Sequence, residues 1–169
     1  MNALPNTQAW VVMGVSGCGK SSVGQRLAQA LDVPFLEGDN FHTPNNIAKM
    51  SAGIALTDAD RADWLLALRD QIAAAATRGS GVVLSCSALK RRYRDVLREG
   101  DSHLRFAHLD GSRELIASRL GARKDHYMPS SLLDSQLRDL EPLQADEAGL
   151  RLDVSLTPDQ LVAAILDSE

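Results

Sequence analysis

The sequence contains little that would suit it to an oxidising compartment or a membrane. Its 169 residues include only two cysteines, Cys18 and Cys86, and no C-x-x-C pair, which excludes a disulfide framework or a cysteine zinc site. No run of about 18 apolar residues is present. Residues 1–10 lack the basic start and the apolar stretch of a signal peptide. These absences predict a cytoplasmic protein.

Basic residues are also fewer than acidic ones. Lys and Arg number 18 against 22 Asp and Glu, so the formal net charge is −4. Nucleic acids and anionic membranes favour basic surfaces, so neither is expected as a partner. The hydrophobic content of 44% and the charged content of 24% are ordinary for a globular chain, and the length suits one domain over residues 1–169.

Short apolar runs alternate with helical patterns along the chain. Five strands separated by helices predict an α/β fold in three layers, with a parallel sheet and helices on both faces. No repeat or flexible linker divides the chain. The strands are expected at 9–15, 33–36, 81–86, 104–109 and 150–156, and the helices at 20–31, 45–50, 57–76, 88–98, 112–120, 131–140 and from 157.

Residues 14–21, GVSGCGKS, match the phosphate-loop pattern G-x-x-x-x-G-K-[ST] and lie between a predicted strand and a predicted helix. The glycines let backbone N–H groups point at phosphate oxygens. Lys20 can neutralise the β- and γ-phosphates, and the Ser21 hydroxyl can bind Mg²⁺. A glycine-rich turn that binds nothing is the alternative. The expected ATP-binding residues are Gly14, Val15, Ser16, Gly17, Cys18, Gly19, Lys20, Ser21 and Ser22.

Two acidic residues, Glu37 and Asp39, follow the second predicted strand. Their spacing allows both side chains to point the same way, beyond the sheet edge where open α/β folds bind ligands. A kinase needs a carboxylate there to orient or deprotonate the acceptor hydroxyl, and Asp39 is the candidate. A polar loop without function is the alternative. His42 and Lys49 follow in an irregular segment.

Basic residues occur four apart on two later helices. Lys90 and Arg94 share one helix face, and Arg119 and Arg123 end the next helix. The second pair could clamp the transferred phosphate when a helical lid over roughly residues 119–135 closes and excludes water. A solvated helix surface is the alternative for both pairs.

The predicted strand 81–86 does not end in Asp or Glu. The acidic metal partner usual for a phosphate loop is therefore expected to be missing. Mg²⁺ would then depend on Ser21, water and phosphates, with Asp39 as a candidate to help.

Longer stretches of the chain resemble the small P-loop gluconokinases, relatives of the shikimate and adenylate kinases. The phosphate loop is general to this superfamily, whereas residues 37–65 and the CSALK…YRD block are much more specific. The matching segments are MGVSGCGKSS (13–22), FLEGDNFH (35–42), NNIAKMSAGIALTDADRADWL (45–65), CSALKRRYRDVLRE (86–99) and SRLGARKDHYMPSSLLDSQLRDLE (118–141).

The resemblance implies ATP-dependent phosphorylation of D-gluconate at the C6 hydroxyl by a homodimer. It assigns Asp39 to the substrate hydroxyl. Glu37 stands where Asp is common in the family, which keeps the carboxylate and changes its reach. Lys and Arg suit an anionic substrate. The candidates to hold the polyol and its carboxylate are His42, Lys49, Arg61, Lys90 and Arg94.

Two other functions stay open at this point. The chain could be another small-molecule kinase, acting on shikimate or a nucleotide. It could also be a nucleotide-dependent switch without an acceptor, although the acidic strand end and the Arg-bearing helix end favour acceptor chemistry.

Overall fold

The computed structural model describes residues 8–122 and 130–168, which are built around a five-stranded parallel sheet. The order across the sheet is β2-β3-β1-β4-β5. The predicted α/β fold is confirmed, and each strand end differs from its prediction by two residues or fewer, except that β5 ends earlier. The strands are β1 Ala9–Met13, β2 Phe35–Glu37, β3 Val82–Ser85, β4 Arg105–Asp110 and β5 Gly149–Asp153.

Helices connect the strands and cover both faces of the sheet. A 3₁₀ turn over Gly38–Phe41 follows β2 and was not predicted from the sequence. No helix in the part of the chain that the structure describes is long and apolar enough to cross a membrane. The helices are α1 Lys20–Leu31, α2 Pro44–Ser51, α3 Asp58–Thr77, α4 Arg91–Arg98, α5 Arg113–Ala122, α6 Ser130–Asp139 and α7 Pro158–Asp167.

The start of α3 shows how the local sequence fixes an element. The Asp60 N–H donates to Thr57 Oγ1 at 3.1 Å, and the Thr57 N–H donates to Asp60 Oδ2 at 2.9 Å. Asp thus completes the capping box that usually uses Glu or Gln, as the sequence predicts. This cap sets where α3 begins and therefore where its first turn presents acidic residues.

The central strand β1 is buried along its whole length because both faces of the sheet are covered. Val11 packs with residues of α3 and α4 on one face. Trp10 and Val12 pack with residues of α1 and α7 on the other. The alternation of side chains along the strand therefore supplies two cores from one short apolar run.

The strand order decides which loops meet. Ser85, the last residue of β3, lies beside Val12 of β1 and Glu37 of β2 in the parallel registers. Parallel strands end at one edge of the sheet, so the loops after β1, β2 and β3 converge there. The phosphate loop and the acidic pair predicted from the sequence are thereby brought to the same edge.

Candidate active site

The phosphate loop joins β1 to α1, as its motif predicts. Gly19 caps the helix with φ 94° and ψ 22°, a left-handed backbone conformation that residues other than glycine rarely adopt. A Cβ on Gly19 would meet nothing within 4 Å, so the backbone conformation and not crowding requires glycine. The loop amides and the helix start together form an anion site with open space beside it.

Lys20 begins α1, and its Nζ donates to the Val15 carbonyl at 3.0 Å. This contact folds the side chain back over the loop, where the ammonium can reach phosphate oxygens. Ser22 is exposed in the same helical turn. Cys18 is buried, and burial raises the pKa of its thiol. It therefore packs as a small residue and is not a reactive thiol.

An acidic side chain of β2, Glu37, lies beside the phosphate loop. The Ser21 hydroxyl donates to Glu37 Oε2, and the Ser85 hydroxyl donates to Glu37 Oε1 at 2.6 Å. As predicted, no acid ends β3, but β2 places the Glu37 carboxylate beside Ser21. The strand that follows α3 ends in a serine, but that serine orients a carboxylate on the neighbouring strand. Sequence reasoning missed the role of Glu37 because it depends on β2 pairing with β3.

Ser21 and Glu37 present oxygen atoms of the kind that Mg²⁺ binds. Residues 8–122 and 130–168 contain no cluster of three or more His, Cys, Asp or Glu side chains that could hold a metal ion. A bound Mg²⁺ would therefore take its other ligands from phosphates and water, which is usual for this ion. Asp39, which was expected to help Ser21, lines a cavity that Lys20 also lines.

A cavity of about 250 Å³ opens beside the phosphate loop. Its wall contains Lys20 from the donor side together with Asp39, His42 and Arg61 from the predicted acceptor side. Apolar side chains of α2 and of the loop before α3, including the exposed Ile54, and residues of α6 also line it. The cavity thus combines an acid, two cations and a neutral ring within one apolar frame.

The turn after β2 holds Asp39 and His42 at the cavity. A Cβ on Gly38 would stand 2.2 Å from the Ser85 carbonyl oxygen, so only glycine lets this turn approach β3. Trp64 Nε1 donates to the Gly38 carbonyl at 2.8 Å. The His42 ring stacks on Trp64 with 4.1 Å between centroids, and burial lowers the pKa of His42. Asn46 Nδ2 lies 3.4 Å from His42 Nδ1, so the neutral ring has Nε2 left to bond a substrate hydroxyl.

Two predicted substrate cations, Lys49 and Lys90, are held by the first turn of α3. Lys49 Nζ donates to both carboxylate oxygens of Asp60, at 2.9 and 3.0 Å, and Lys90 Nζ donates to Asp58 at 3.3 Å. Hydrogen bonds from Tyr93 and Lys90 lower the pKa of Asp58 to about 2. Neither lysine lines the cavity. Their role in substrate binding stays a prediction.

Arg61 reaches the cavity from α3 even though its side chain is only 9% exposed. Its Nη1 donates to the Tyr93 hydroxyl at 3.0 Å and lies 3.8 Å from Asp139. The guanidinium also lies over the Tyr93 ring, 5.4 Å from its centroid. These contacts hold the guanidinium in place, which suits it to recognise a carboxylate in a fixed geometry.

Arg94 lies in the protein interior and does not line the cavity. Its Nε and Nη2 donate to Glu147 at 2.7 and 2.9 Å, and its Nη1 donates to the carbonyls of Ala88 and Leu89. Burial raises the pKa of Glu147, but hydrogen bonds from Arg94 and Arg98 outweigh it and lower that pKa to about 2. The prediction that Arg94 binds substrate is therefore wrong. Helical spacing could not reveal a partner 53 residues away.

Arg119 is half-buried in the last turn of α5. This helix packs directly on the phosphate loop, since a Cβ on Gly17 would stand 2.7 Å from Leu120 Cγ. Arg119 is also near enough to Cys18 to act on the pKa of its thiol, where burial dominates. Arg123 and the middle of the predicted lid, residues 123–129, lie outside the described residues. The clamp formed by the two arginines stays a prediction.

Gln136 on α6 is a site residue that sequence reasoning missed. The Ser16 N–H donates to Gln136 Oε1 at 2.7 Å, and Gln136 lines the same cavity as Lys20 and Asp39. It lies within the segment 118–141 that carries the family resemblance. A single glutamine on a helix has no chemical signature of its own, so only the fold reveals its contact with the loop.

Known proteins resemble this chain over most of its length. A family model described as an AAA domain matches residues 10–143. A gluconokinase from Gluconobacter oxydans is 47% identical over 156 residues, covering 92% of this chain and 88% of the relative. The crystal structure of a gluconokinase from Sinorhizobium meliloti is 46% identical with a TM-score of 0.87, covering 98% of this chain and 92% of that one. An unliganded sugar kinase from a Janibacter species is 48% identical with a TM-score of 0.90, covering 95% of each chain.

Proposed function

We propose that this chain, which belongs to the gluconokinase family of P-loop kinases, transfers the γ-phosphoryl group of ATP to the C6 hydroxyl of D-gluconate. The product would be 6-phosphogluconate. One observation carries the proposal: Lys20 of the phosphate loop and Asp39 of the turn after β2 line a single cavity. Donor and acceptor groups placed there can meet without a large rearrangement of the sheet edge.

On the donor side, the loop amides and Lys20 bind and orient the phosphates. Ser21, with Glu37 behind it, would hold a Mg²⁺ ion that neutralises charge developing on the transferred group. Ser85 fixes the second oxygen of Glu37, so the carboxylate keeps one orientation. The loop therefore supplies positioning and charge stabilisation, which dominate phosphoryl transfer.

On the acceptor side, Asp39 accepts a hydrogen bond from the substrate hydroxyl and takes its proton as the new bond to phosphorus forms. The neutral His42 ring, fixed on Trp64, donates to or accepts from other hydroxyls. Arg61 binds the substrate carboxylate, because a guanidinium pairs with a carboxylate through two parallel hydrogen bonds. An extended sugar acid needs such contacts at both of its ends.

The helices α5 and α6 form the lid of this proposal. Closure of the lid over residues 119–135 would bring Arg119 and Arg123 to the transferred phosphate and exclude water. Excluding water matters because it competes with the sugar hydroxyl for the phosphoryl group. The described part of α5 supports this role through its packing on the phosphate loop.

The proposal also includes a cytoplasmic enzyme that acts as a homodimer without nucleic acid or membrane. Both cysteines are free and buried, which suits a reducing compartment. Sedimentation of the purified protein tests the assembly. A mass near that of one 18.2 kDa chain would contradict the dimer.

A coupled assay of ADP release tests the reaction. Gluconate, shikimate and nucleoside monophosphates are compared as acceptors, and the phosphorylated product is identified by mass spectrometry and NMR. We expect strong turnover with gluconate only. Turnover of another acceptor with none on gluconate would overturn the proposed substrate. Tight ATP binding without turnover on any acceptor would favour a nucleotide switch.

A further inference from the structure

A side chain of α6 accepts a hydrogen bond from a backbone N–H of the phosphate loop. The N–H of Ser16, the third residue of the loop, donates to Gln136 Oε1 at 2.7 Å. Gln136 Nε2 in turn donates to Ser16 Oγ at 3.3 Å. The two residues are 120 positions apart in the chain, so the contact is a product of the fold.

Packing on either side holds Gln136 at the loop. Leu133, one turn earlier on α6, is fully buried in a cluster with Val15, the neighbour of Ser16. Asp134 accepts a hydrogen bond from Arg113 Nε at 2.6 Å, which joins α6 to α5. These two anchors fix the helix, and the helix presents Gln136 to the loop.

The amide of Gln136 has the chemistry to respond to a phosphate. Backbone N–H groups in such loops point towards phosphate oxygens, so Oε1 accepts from a donor of the kind that a phosphate oxygen would use. Its Nε2 carries two N–H donors. Hydrogen bonds from such donors to an anionic phosphoryl oxygen are stronger than the long one to a neutral hydroxyl.

The location of Gln136 indicates which phosphate of ATP it would contact. Gln136 lines the cavity that also contains Asp39, the proposed base of the acceptor side. The γ-phosphoryl group is the one that must lie between the loop and the acceptor during transfer. A donor in this wall therefore faces the γ-phosphate, which ATP has and ADP lacks.

We propose that Gln136 recognises the γ-phosphate of the donor nucleotide through Nε2 and thereby links the position of α6 to the presence of ATP. This inference rests on the proposed phosphoryl transfer. It gives the enzyme a group that favours ATP over its product ADP at the stage when the lid must stay closed. Loss of the γ-phosphate to the acceptor removes the partner of Nε2 and weakens the hold of α6 on the nucleotide.

Titration calorimetry without gluconate tests this inference separately from the choice of acceptor. Binding of ADP and of a non-hydrolysable ATP analogue is measured for the wild type, Gln136→Glu and Gln136→Met. Glutamate keeps the shape and an acceptor for the Ser16 N–H but replaces the Nε2 donors with negative charge. Gln71→Glu, an exposed change on α3, is the matched control for charge. Thermal unfolding confirms that each variant is folded.

We expect Gln136→Glu to lose about tenfold or more of its affinity for the ATP analogue, with a change of less than about twofold for ADP. Gln136→Met should show the same selectivity with a smaller loss, and it decides the matter if the glutamate variant does not fold. Gln71→Glu should bind both nucleotides normally. Equal losses for ADP and the analogue, or no loss for either, would overturn the inference.

Discussion

The donor and acceptor sides of the cavity are built in different ways. The donor side centres on one continuous loop, Gly14 to Ser21, whose binding groups are mostly backbone amides set by local conformation. The acceptor side takes Asp39 and His42 from a turn and Arg61 from a helix. Its geometry depends on contacts such as that of Trp64 with the Gly38 carbonyl. The phosphate loop is local in sequence, whereas packing assembles the acceptor side and adds Glu37 and Gln136 to the loop.

The difference teaches where specificity resides. Backbone amides and a helix start bind any phosphate, so the donor side tells little about the substrate. Acids of α3 pair with Lys49 and Lys90, and neither lysine lines the cavity. Arg61 lines the cavity, although it also lies 3.8 Å from Asp139. In the proposed mechanism, these contacts determine which basic side chain can bind the carboxylate of the sugar acid.

A large effect on kcat/KM is expected on the donor side. Lys20→Met should lower kcat/KM by about 10³-fold, because it removes a positive charge that stabilises the phosphates in the transition state. Steady-state kinetics with gluconate measures this change. Among residues 8–122 and 130–168 the Lys20 side chain makes one hydrogen bond, to Val15, so thermal stability should stay close to that of the wild type. Near-normal rates of the Lys20→Met variant would contradict the role of Lys20 in stabilising the phosphates.

A smaller effect, confined to the acceptor, is expected for Arg61→Met. Loss of a charged hydrogen-bond pair to the substrate carboxylate should raise KM for gluconate about 10- to 100-fold, with little change in KM for ATP. Lys90→Met is the matched control and should change KM for gluconate less than about threefold, because an ion pair to Asp58 already engages this ammonium. The opposite ranking of the two variants would assign carboxylate binding to Lys90.

The smallest effect on catalysis is expected for Glu147→Gln. The change leaves Arg94 fully buried without its carboxylate, which should lower the free energy of unfolding by about 3–5 kcal/mol while kcat of the folded enzyme stays near normal. Chemical denaturation and kinetics measure the two quantities. A large loss of kcat in the folded variant would indicate that Arg94 takes part in the active site.

The acid stability of the wild type sharpens the same contrast. The folded pKa of Glu147, about 2, lies below its ordinary value of 4.5, so the unfolded chain binds the proton more readily. The stability from this group is therefore complete above pH 4.5 and is lost as the pH falls towards 2. Glu147→Gln should lose less stability than the wild type over this interval. Parallel curves for both proteins would show that Glu147 contributes nothing there.

The sequence predicts the phosphate loop well and the residues that packing adds around it only in part, for a physical reason. The strand, loop and first turn of α1 follow one another in the chain, so periodicity and glycine placement were sufficient. The role of Glu37 required knowledge that β2 pairs with β3. Arg94 and Lys90 look alike by helical spacing, yet Glu147 draws Arg94 into the interior. Such distinctions come from long-range packing, which no local pattern contains.

The same limit applies to the 3₁₀ turn after β2. Its four residues carry no helical period, and its position is set by Gly38 lying against Ser85. Sequence spacing correctly placed Asp39 near the sheet edge. Only the fold shows that the two carboxylates have different surroundings. Glu37 accepts a hydrogen bond from Ser21, whereas Asp39 lines the cavity.

The account depends most directly on Asp39 acting on the acceptor within a cavity shared with the donor loop. The decisive measurement is kcat for Asp39→Asn together with the Kd of the same variant for an ATP analogue. We predict that kcat falls about 10²- to 10⁴-fold, because the amide cannot take the proton, while the Kd changes less than about twofold. A near-normal kcat with weakened nucleotide binding would contradict the account and place Asp39 on the donor side.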